Sequence, residues 1–295
     1  MTFLHPETHI GLVALTVANR ERSVAFYQDV LGFTVIERGN AGVILGAEAT
    51  APLLLLTEQA GARPKPSSTT GLYHFALLVP SRADLGRSLL HLAELRYPLD
   101  GYADHLVSES LYLSDPDGNG IEIYRDRPRS QWHWANGRVA MATDPLDIEG
   151  ILSEGEGDPR PWKGLPPGTH MGHIHLQVGD LRQAEEFYHG VLGFDVTARL
   201  PGALFVSAGG YHHHIGLNTW QSRGGPQPTA DMAGLRFFRI AVPTEEDLTG
   251  VSTRLEAAGL PIERQERGIA VRDPWNNGIW LSAHAALPLT PLMSW

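Results

Sequence analysis

The stretch VANRERSVAFYQDVLGFTV, residues 17–35, decides the fold, because it returns later in the chain as VGDLRQAEEFYHGVLGFDV, residues 178–196. Both copies predict the end of a strand, a polar helix start and a helix with a Phe-Tyr pair on its apolar face. Gly32 and Gly193 stand where a glycine commonly ends a helix, and the phenylalanine that follows each begins a new strand. The chain is therefore built from a repeated unit.

A second repeated unit follows each of these copies. GLYHFALLVPSRADL, from Gly71, is similar to GLRFFRIAVPTEEDL, from Gly234, and the two units close with DPDGNGIEI and DPWNNGIWL. Asp-Pro followed by Asp-Gly predicts a tight turn, and the alternating isoleucines after it predict a short strand. The sequence thus predicts four modules, named A, B, A′ and B′, each a strand, a helix and further strands, at residues 9–58, 71–125, 171–220 and 234–283.

The length of 295 residues predicts two domains. We place an N-terminal domain at 1–126 and a C-terminal domain at 171–295, with two modules each. Residues 127–170, rich in Pro, Gly and Trp, are interpreted as the linker, with one short helix near Asp147–Glu154. The tail from Ala286 is too short and too rich in proline for a further module.

The composition, 42% hydrophobic and 19% charged, is typical of a globular protein, and the net charge of −10 argues against a nucleic-acid partner. The absence of cysteine excludes disulfides, zinc–thiolate sites and iron–sulfur clusters, and it fits a cytoplasmic protein. We find no signal peptide and no apolar run long enough to span a bilayer. The expected location is therefore the cytoplasm, without a membrane partner.

The FYQDVLGF and DPDGNGIEIY signatures, in a unit used four times, resemble the vicinal oxygen chelate superfamily, which holds glyoxalases, bleomycin-resistance proteins and type I extradiol dioxygenases. RDRPRSQW, GHIHL and SAGGYHHHIGLN resemble its two-domain catechol 2,3-dioxygenase-like branch in particular. The resemblance covers nearly the whole chain. It implies an α+β fold in which four βαβββ modules form two domains with cup-shaped mixed sheets.

The repeat allows equivalent positions of the four modules to be compared. The first strands end at Val17, Val79, Val178 and Val242, and five residues before these valines stand Leu12, His74, His173 and Phe237. In the superfamily this position points into the cup where a metal sits. The matching position in the last strands of B and B′ holds Glu122 and Trp280.

Three of these positions carry metal-ligand types, His74, Glu122 and His173. Two imidazoles and one carboxylate make the facial triad of non-haem Fe(II) oxygenases, which leaves positions open for substrate and O₂. Either histidine alone could equally be a hydrogen-bonded core residue. Their occurrence in equivalent positions favours a metal site for Fe(II), with Mn(II) as the other metal that this ligand set accepts.

Further residues are assigned by the resemblance. Three consecutive histidines in SAGGYHHHIGLN are expected on a strand, so that alternation sends His213 to one face and its two neighbours to the other. The resemblance implies that His213, or else His214, is an acid–base residue near O₂; a histidine tract on an exposed hairpin is the alternative. It also implies that Tyr112 is directed at the substrate hydroxyl and that His105 contacts the substrate.

One departure from the branch concerns how the modules pair. The usual two-domain extradiol enzymes take the triad from their last two modules, whereas here B supplies His74 and Glu122 and A′ supplies His173. We therefore hypothesise that B pairs with A′ and A with B′, within one chain or between two. If A pairs with B instead, the triad is split and each half holds an incomplete site.

The function that follows is an Fe(II)-dependent extradiol dioxygenase that cleaves a catechol-type substrate with O₂ to a ring-opened semialdehyde. One alternative is a glyoxalase-like isomerase or hydrolase, although no carboxylate stands near Gly216, where such enzymes commonly have a fourth ligand. Another is a metal-free protein that binds an aromatic ligand in the A–B′ cup, beside Leu12, Phe237 and Trp280. The identity of the catechol and a possible homo-oligomer stay open.

Overall fold

The computed structural model describes residues 4–265 and 267–283, so the tail from Ala286 lies outside the described residues. Each of the four modules has the expected order of a strand, a helix and three strands. Module A comprises β1 (His9–Val17), α1 (Arg20–Asp29), β2 (Thr34–Gly39), β3 (Gly42–Glu48) and β4 (Ala51–Glu58). Module B comprises β5 (Gly71–Leu78), α2 (Arg82–Glu94), β6 (Gly101–Asp104), β7 (Ser108–Ser114) and β8 (Gly120–Asp126).

The segment between B and A′ holds a 3₁₀ turn (Arg129–Gln131), the short hairpin β9 (Trp134–Ala135) and β10 (Arg138–Val139), and α3 (Ile148–Gly157). Module A′ comprises β11 (His170–Gln177), α4 (Leu181–Glu185), β12 (Asp195–Leu200), β13 (Ala203–Ser207) and β14 (Ile215–Asn218). The helix α4 continues as a π-helical turn over Glu186–Val191. Module B′ comprises β15 (Gly234–Ala241), α5 (Glu245–Ala257), β16 (Glu263–Gln265), β17 (Gly268–Arg272) and β18 (Gly278–Ser282).

These modules form two mixed sheets of eight strands each. One sheet has the order β16-β17-β18-β15-β1-β4-β3-β2 and the other β12-β13-β14-β11-β5-β8-β7-β6. The α+β class with two curled mixed sheets is therefore confirmed. Module A shares a sheet with B′, and A′ shares a sheet with B, so the hypothesis of permuted pairing is confirmed within a single chain. Each sheet takes one module from 1–126 and one from 171–295, and the placing of domain boundaries at these residues stays a prediction.

The two sheets have the same register at their centres. The antiparallel pair His74–His175 of one sheet corresponds to the pair Phe237–Ala14 of the other. The parallel neighbours Ala76 and Glu122 correspond in the same way to Arg239 and Trp280. Every position in one cup therefore has a defined counterpart in the other cup, as the repeat predicts.

The tyrosine of each Phe-Tyr pair joins one sheet to the other. Tyr27 Oη donates to Asp115 Oδ2 at 2.8 Å, and Tyr188 Oη donates to Asp273 Oδ2 at 2.9 Å. Each aspartate also accepts backbone N–H groups within its own Asp-Pro turn, for example that of Asn119 at 2.8 Å. The helix signature and the turn signature thus contact each other across the boundary between the sheets.

The segment between B and A′ packs against the B module. Its helix α3 crosses α2 where Gly86 faces Gly155, and a Cβ added to Gly86 would lie 2.3 Å from the carbonyl oxygen of Ile151. The predicted short helix is therefore present and packs closely against α2. No helix within 4–265 and 267–283 has both the length and the apolar character that a bilayer crossing needs.

Candidate metal centre

His74, Glu122 and His173 converge at the floor of the A′–B cup. Nε2 of each histidine lies 3.0 Å from Glu122 Oε2, and the two Nε2 atoms lie 3.4 Å apart. All three side chains are buried. The convergence follows from the sheet, because β5 lies between β8 and β11 and alternate residues of each strand point to the same face.

The distances fit a common ion. Two ligand atoms about 2.1 Å from a metal and at right angles to each other are about 3.0 Å apart. Burial alone raises the pKa of Glu122, but the adjacent His173 and His74 outweigh it and hold the pKa well below its usual range. The carboxylate is therefore ionised at neutral pH. A buried anion beside two imidazoles is a donor set that suits a divalent cation.

The triad opens onto a cavity of about 620 Å³, whose walls include His105, Tyr112 and His213. This volume lies within the usual range for small-molecule sites. The structure thus brings all six sequence-predicted site residues to one cavity. Their roles in chemistry stay predictions.

His105 and Tyr112 form a hydrogen-bonded pair on the cavity wall. His105 Nδ1 lies 2.6 Å from the carbonyl oxygen of Ala142, which can only accept. In the neutral ring the proton is therefore on Nδ1, and Nε2 accepts from Tyr112 Oη at 2.7 Å. Burial, with a smaller effect of the charge on Glu122, raises the pKa of Tyr112 well above its ordinary value, so the phenol keeps its proton. Its oxygen lone pairs then remain as acceptors for a ligand.

His213 lies beside His173 of the candidate triad, with 4.2 Å between the ring centroids. The sequence predicted that the three histidines lie on a strand. In the structure they form an irregular segment before β14. That expectation was wrong because Gly209 and Gly210, both with positive φ, end the extended chain before the histidines. The alternative of an exposed hairpin is also excluded, since all three side chains are buried.

Each histidine of this segment has its own environment. His212 Nε2 lies 2.9 Å from Asp126 Oδ1, and its Nδ1 lies 2.7 Å from His213 Nδ1. Because the Asp126 carboxylate can only accept, Nε2 of neutral His212 donates to it, and His212 Nδ1 accepts from His213 Nδ1. The Nε2 of neutral His213 is then an acceptor. Burial, with smaller effects of the neighbouring His173 and His212, lowers the pKa of His213 well below its ordinary value, which favours this neutral form.

His214 is directed away from this chain of contacts. Its Nδ1 accepts the backbone N–H of Ala208 at 3.2 Å and lies 3.1 Å from Ser207 Oγ. Burial, with smaller effects from neighbouring positive groups, lowers its pKa to about 3. His214 does not line the A′–B cavity. Of the two candidates, the geometry favours His213.

Comparison with known proteins agrees with this geometry. The model of the glyoxalase/bleomycin resistance protein/dioxygenase superfamily matches residues 9–123 and 170–281. The chain belongs to this superfamily. A catechol-2,3-dioxygenase of Bacillus subtilis (strain 168) is 48% identical over 278 residues, covering 93% of this chain and 96% of that protein. The expectation of an enzyme similar to catechol 2,3-dioxygenase is thereby confirmed.

Solved structures agree on the fold. A protein from Bacillus subtilis subsp. subtilis strain 168 has a TM-score of 0.63 at 13% identity, over 95% of this chain and 86% of that chain. Glyoxalase I from Zea mays has a TM-score of 0.55 at 14% identity, over 94% of this chain and 92% of that chain. At these identities the likeness concerns the fold of the superfamily alone.

Sequence reasoning missed His175, which lies two residues after His173 on the same face of β11. Its ring lies 5.0 Å from that of His74, and its Nε2 lies 3.1 Å from Asn218 Nδ2. A Cβ added to Gly216 would lie 2.8 Å from the His175 ring. In this member of the superfamily, the counterpart of Glu122 is therefore a glycine that makes room for a third imidazole. The GHIHL motif could have indicated this residue, because it holds two histidines at the two-residue spacing of one strand face.

Two other residues at the mouth of the cavity were also missed. Tyr73 and Trp220 are partly exposed, at 40% and 50%, and their ring centroids lie 5.6 Å apart. Lys65 enters from the loop after β4, and its Nζ donates to Gln177 Oε1 at 2.5 Å and to the Thr69 carbonyl at 3.0 Å. The repeat did not mark Lys65, because the matching position in the loop between A′ and B′ holds Gln227, which is not a charged residue.

The A–B′ cup is closed at its floor. Leu12, Phe237 and Trp280, the counterparts of His173, His74 and Glu122, pack together in one apolar cluster and are at most 1% exposed. Ala14, Ile44, Leu55 and Ala270 complete the buried part of this cluster. The aromatic-ligand cup that the sequence left open as an alternative is filled by its own side chains.

Proposed function

We propose that this chain is an Fe(II)-dependent extradiol dioxygenase that cleaves a catechol-type ring beside its hydroxyl groups. The observation that carries the proposal is the triangle of His74, Glu122 and His173, with sides of 3.0, 3.0 and 3.4 Å, at the floor of a cavity that also holds two proton-transfer groups. The catechol-2,3-dioxygenase relative, with 48% identity, supports the same reading.

The three ligands would hold the metal on one face and leave the cavity side for the reactants. Bound Fe(II) would supply the redox step by bringing catechol and O₂ together and carrying electrons between them. The carbon–carbon bond beside a hydroxyl breaks, and both oxygen atoms enter the product. A ring-opened semialdehyde acid results, without any added reductant.

The His105–Tyr112 pair would receive a proton from the substrate. Tyr112 Oη can accept from a catechol hydroxyl while its own proton passes to His105 Nε2, 2.7 Å away. The carbonyl of Ala142 holds His105 in the tautomer that this transfer needs. Burial opposes a free phenolate at Tyr112, so the two side chains act together.

His213 would serve the other side of the substrate. Its Nε2 is the acceptor of the neutral ring, as the contacts of His212 and Asp126 require. It can therefore take a proton during ring opening and return it to the product. The Nδ1 proton of His213 stays hydrogen-bonded to His212 Nδ1, and this contact fixes the plane of the His213 ring.

An isomerase or hydrolase of the glyoxalase kind is less well supported. Such enzymes of this fold commonly take two ligands from each half, and Gly216 occupies the fourth position here. The His175 ring leaves no space for a side chain at that position. Three ligands with open coordination sites suit oxygen chemistry better.

The test is to measure iron in anaerobically purified protein, and then absorbance after catechol and air are added. We expect about one metal per three-ligand site and a yellow ring-fission product. Glu122→Gln should lose both, because the amide is neutral and a weaker metal ligand, while its shape is conserved. Manganese in place of iron would identify the other metal that this ligand set accepts.

Glu37→Gln is the matched control, since Glu37 is an exposed glutamate on β2, far from the triad in the chain. It should keep metal and colour. Wild-type protein without metal, or full metal and colour in Glu122→Gln, would contradict the proposal.

A further inference from the structure

Lys65 brings a positive charge to the wall of the A′–B cavity. Among the described residues that line this cavity, it is the one lysine or arginine. Lys65 also lines a second cavity, of about 460 Å³, but its ammonium group donates to Gln177, which lines the A′–B cavity and not the second one. The charge is therefore held at the cavity that contains the triad.

The neighbours of Lys65 fix the position of this charge. Its stem passes beside Gly71, where an added Cβ would lie 3.3 Å from Lys65 Cδ, and Gly71 is paired with Gln177 in the sheet. Lys65 Nζ donates to Gln177 Oε1 and to the Thr69 carbonyl, and Gln177 Nε2 donates to the Ser67 carbonyl at 2.7 Å. An ammonium group has three protons, and its contacts with described residues use two. One donor is left for a ligand.

The charge of Lys65 has no carboxylate partner within 4–265 and 267–283, because both of its acceptors are neutral amide oxygens. Of the two carboxylates that line the cavity, Glu122 belongs to the triad, and Asp100 accepts from Ser114 Oγ at 2.6 Å beside the edge strand β6. Burial lowers the pKa of Lys65 to about 8, so the ammonium group is still the main form at neutral pH but has lost part of its hydration. An anionic ligand would compensate for this loss.

The repeat offers an internal comparison. Lys65 stands between two prolines in the loop that leads into β5, the strand that carries His74. Gln227 stands between two prolines in the matching loop that leads into β15, the strand that carries Phe237. The charged residue thus accompanies the cup with the triad, and the neutral amide accompanies the cup whose floor is filled. This difference is expected of a residue that serves the site and not of one that only connects the modules.

The distance from the triad to Lys65 sets the size of a ligand that reaches both. His173 and Gln177 lie on the same face of β11, four residues apart, which is about 13 Å along a strand. A catechol ring held at the triad covers about half of this length, at about 1.5 Å per bond. A side chain of about three bonds that ends in an oxyanion covers the rest, up to hydrogen-bond distance from the ammonium group.

The wall between these two ends is aromatic. His175 lies midway on the same face of β11, and its ring centroid lies 5.2 Å from that of Tyr73 and 5.5 Å from that of Trp220. Aromatic side chains pack well against another ring and against methylene groups. The cavity thus offers the triad at its floor, an aromatic middle and a positive charge at its far end.

We propose that the substrate is a catechol with a carboxylate at the end of a short side chain, and that Lys65 binds this carboxylate. The inference rests on the proposed ring cleavage and names its substrate class. Lys65 is a specificity residue, since it meets the substituent and not the reacting atoms. The carboxylate accepts the remaining ammonium proton, and the two opposite charges gain from the partial exclusion of water.

The test compares two ligands of the same shape, 3-(3,4-dihydroxyphenyl)propionate and its neutral amide. Their binding to the metal-loaded full chain is measured by calorimetry without O₂, so that no turnover occurs. We expect the acid to bind at least about ten times more tightly than the amide, because a pair of opposite charges at a partly buried site is stronger than a hydrogen bond to a neutral group. With O₂ present, the acid should also have the higher kcat/KM.

Lys65→Met keeps an apolar stem of similar length and removes the charge. In this variant the ratio of the two affinities should fall to about one, because neither ligand can then form a charge-assisted bond. A ratio within one protein is not changed by a general loss of binding. Lys163→Met is the matched control, since Lys163 is the other lysine of the chain and is exposed. It should keep the preference of the wild type.

Equal binding of acid and amide by the wild type would overturn the inference, and this comparison needs no variant. A preference that persists in Lys65→Met, or that is lost equally in Lys163→Met, would overturn it as well. These failures are distinct from a failure of the proposed function. Ring fission of unsubstituted catechol without a preference for the acid contradicts the role of Lys65 alone, whereas no ring fission with any catechol contradicts the dioxygenase.

Discussion

At the scale of single residues, three consecutive histidines have three different surroundings. His212 contacts Asp126, His213 lies against His173 of the candidate triad, and His214 accepts from the backbone N–H of Ala208, just after β13. Of the three, His213 alone lines the A′–B cavity. Identical neighbouring side chains therefore have different surroundings, and His213 is the one placed for a role in the proposed chemistry.

We expect His213→Gln to retain metal and to lower kcat by about 10²- to 10⁴-fold, the usual contribution of general acid–base catalysis. The physical reason is that an amide cannot take and return a proton near neutral pH. The measurement is ring-fission rate per metal, so that a loss of metal is not mistaken for a loss of chemistry.

His214→Gln is the matched comparison, because it has the same chemistry one residue away. We expect it to lower the free energy of unfolding by about 1–3 kcal/mol, since a buried backbone N–H loses its acceptor. Its kcat per folded chain should stay near that of the wild type. A reversal of these two results would assign the acid–base role to His214.

At the scale of strands, β14 approaches β11 at a glycine. Gly216→Ala would place a Cβ 2.8 Å from the His175 ring, so that imidazole has to move. We expect a loss of about 1–3 kcal/mol in the free energy of unfolding, typical of overpacking, measured by denaturant titration.

Gly157→Ala is the control for this substitution, because a Cβ there meets no atom within 4 Å. It should leave stability unchanged or raise it slightly, since alanine restricts the unfolded chain. Equal destabilisation by both substitutions would show that His175 does not limit the space at Gly216.

The tyrosine of each Phe-Tyr pair donates a buried hydrogen bond to a residue of the opposite sheet's module. We expect Tyr27→Phe to lower the free energy of unfolding by about 1–3 kcal/mol, because buried Asp115 loses a donor. Tyr188→Phe should do the same through Asp273. Tyr102→Phe, at a residue 51% exposed, should change stability little. A neutral effect of Tyr27→Phe would contradict the role of this contact.

Much of the fold and site could be predicted at this scale, because the repeat and the two-residue strand period fix which side chains share a face. His74, Glu122 and His173 follow from that regularity. The surroundings that come from loops could not be predicted. Ala142, which orients His105, and Lys65, which lines both cavities, lie in loops whose course depends on packing.

At the scale of the whole molecule, the pairing of B with A′ can be tested by a cross-link. Leu78 of β5 lies opposite His170 of β11, and the natural chain has no cysteine. Opposed antiparallel residues have Cα atoms about 4.5–5.5 Å apart, within reach of a disulfide. We expect Leu78→Cys/His170→Cys to oxidise to an internal disulfide, seen as a monomer on non-reducing gels.

The single variant Leu78→Cys is the control, and it should give no internal cross-link. Disulfide-linked dimers as the main product of the double variant would show that A′ and B pair between chains. That result would mean that modules A′ and B are exchanged between two chains and do not pair within one.

The order of the two sheets along the chain is nested, since the sheet of β5 and β11 is complete at Asn218, whereas β1, paired with β4 on one side, gains its other neighbour only with β15. Of the four modules, A is synthesised before B and A′, and its partner B′ is synthesised after them. The A′–B cup is thus able to close while β1 is still an edge strand. Unpaired edges invite association with other chains. A nascent chain that stops before β15 therefore leaves one edge of β1 open to such association.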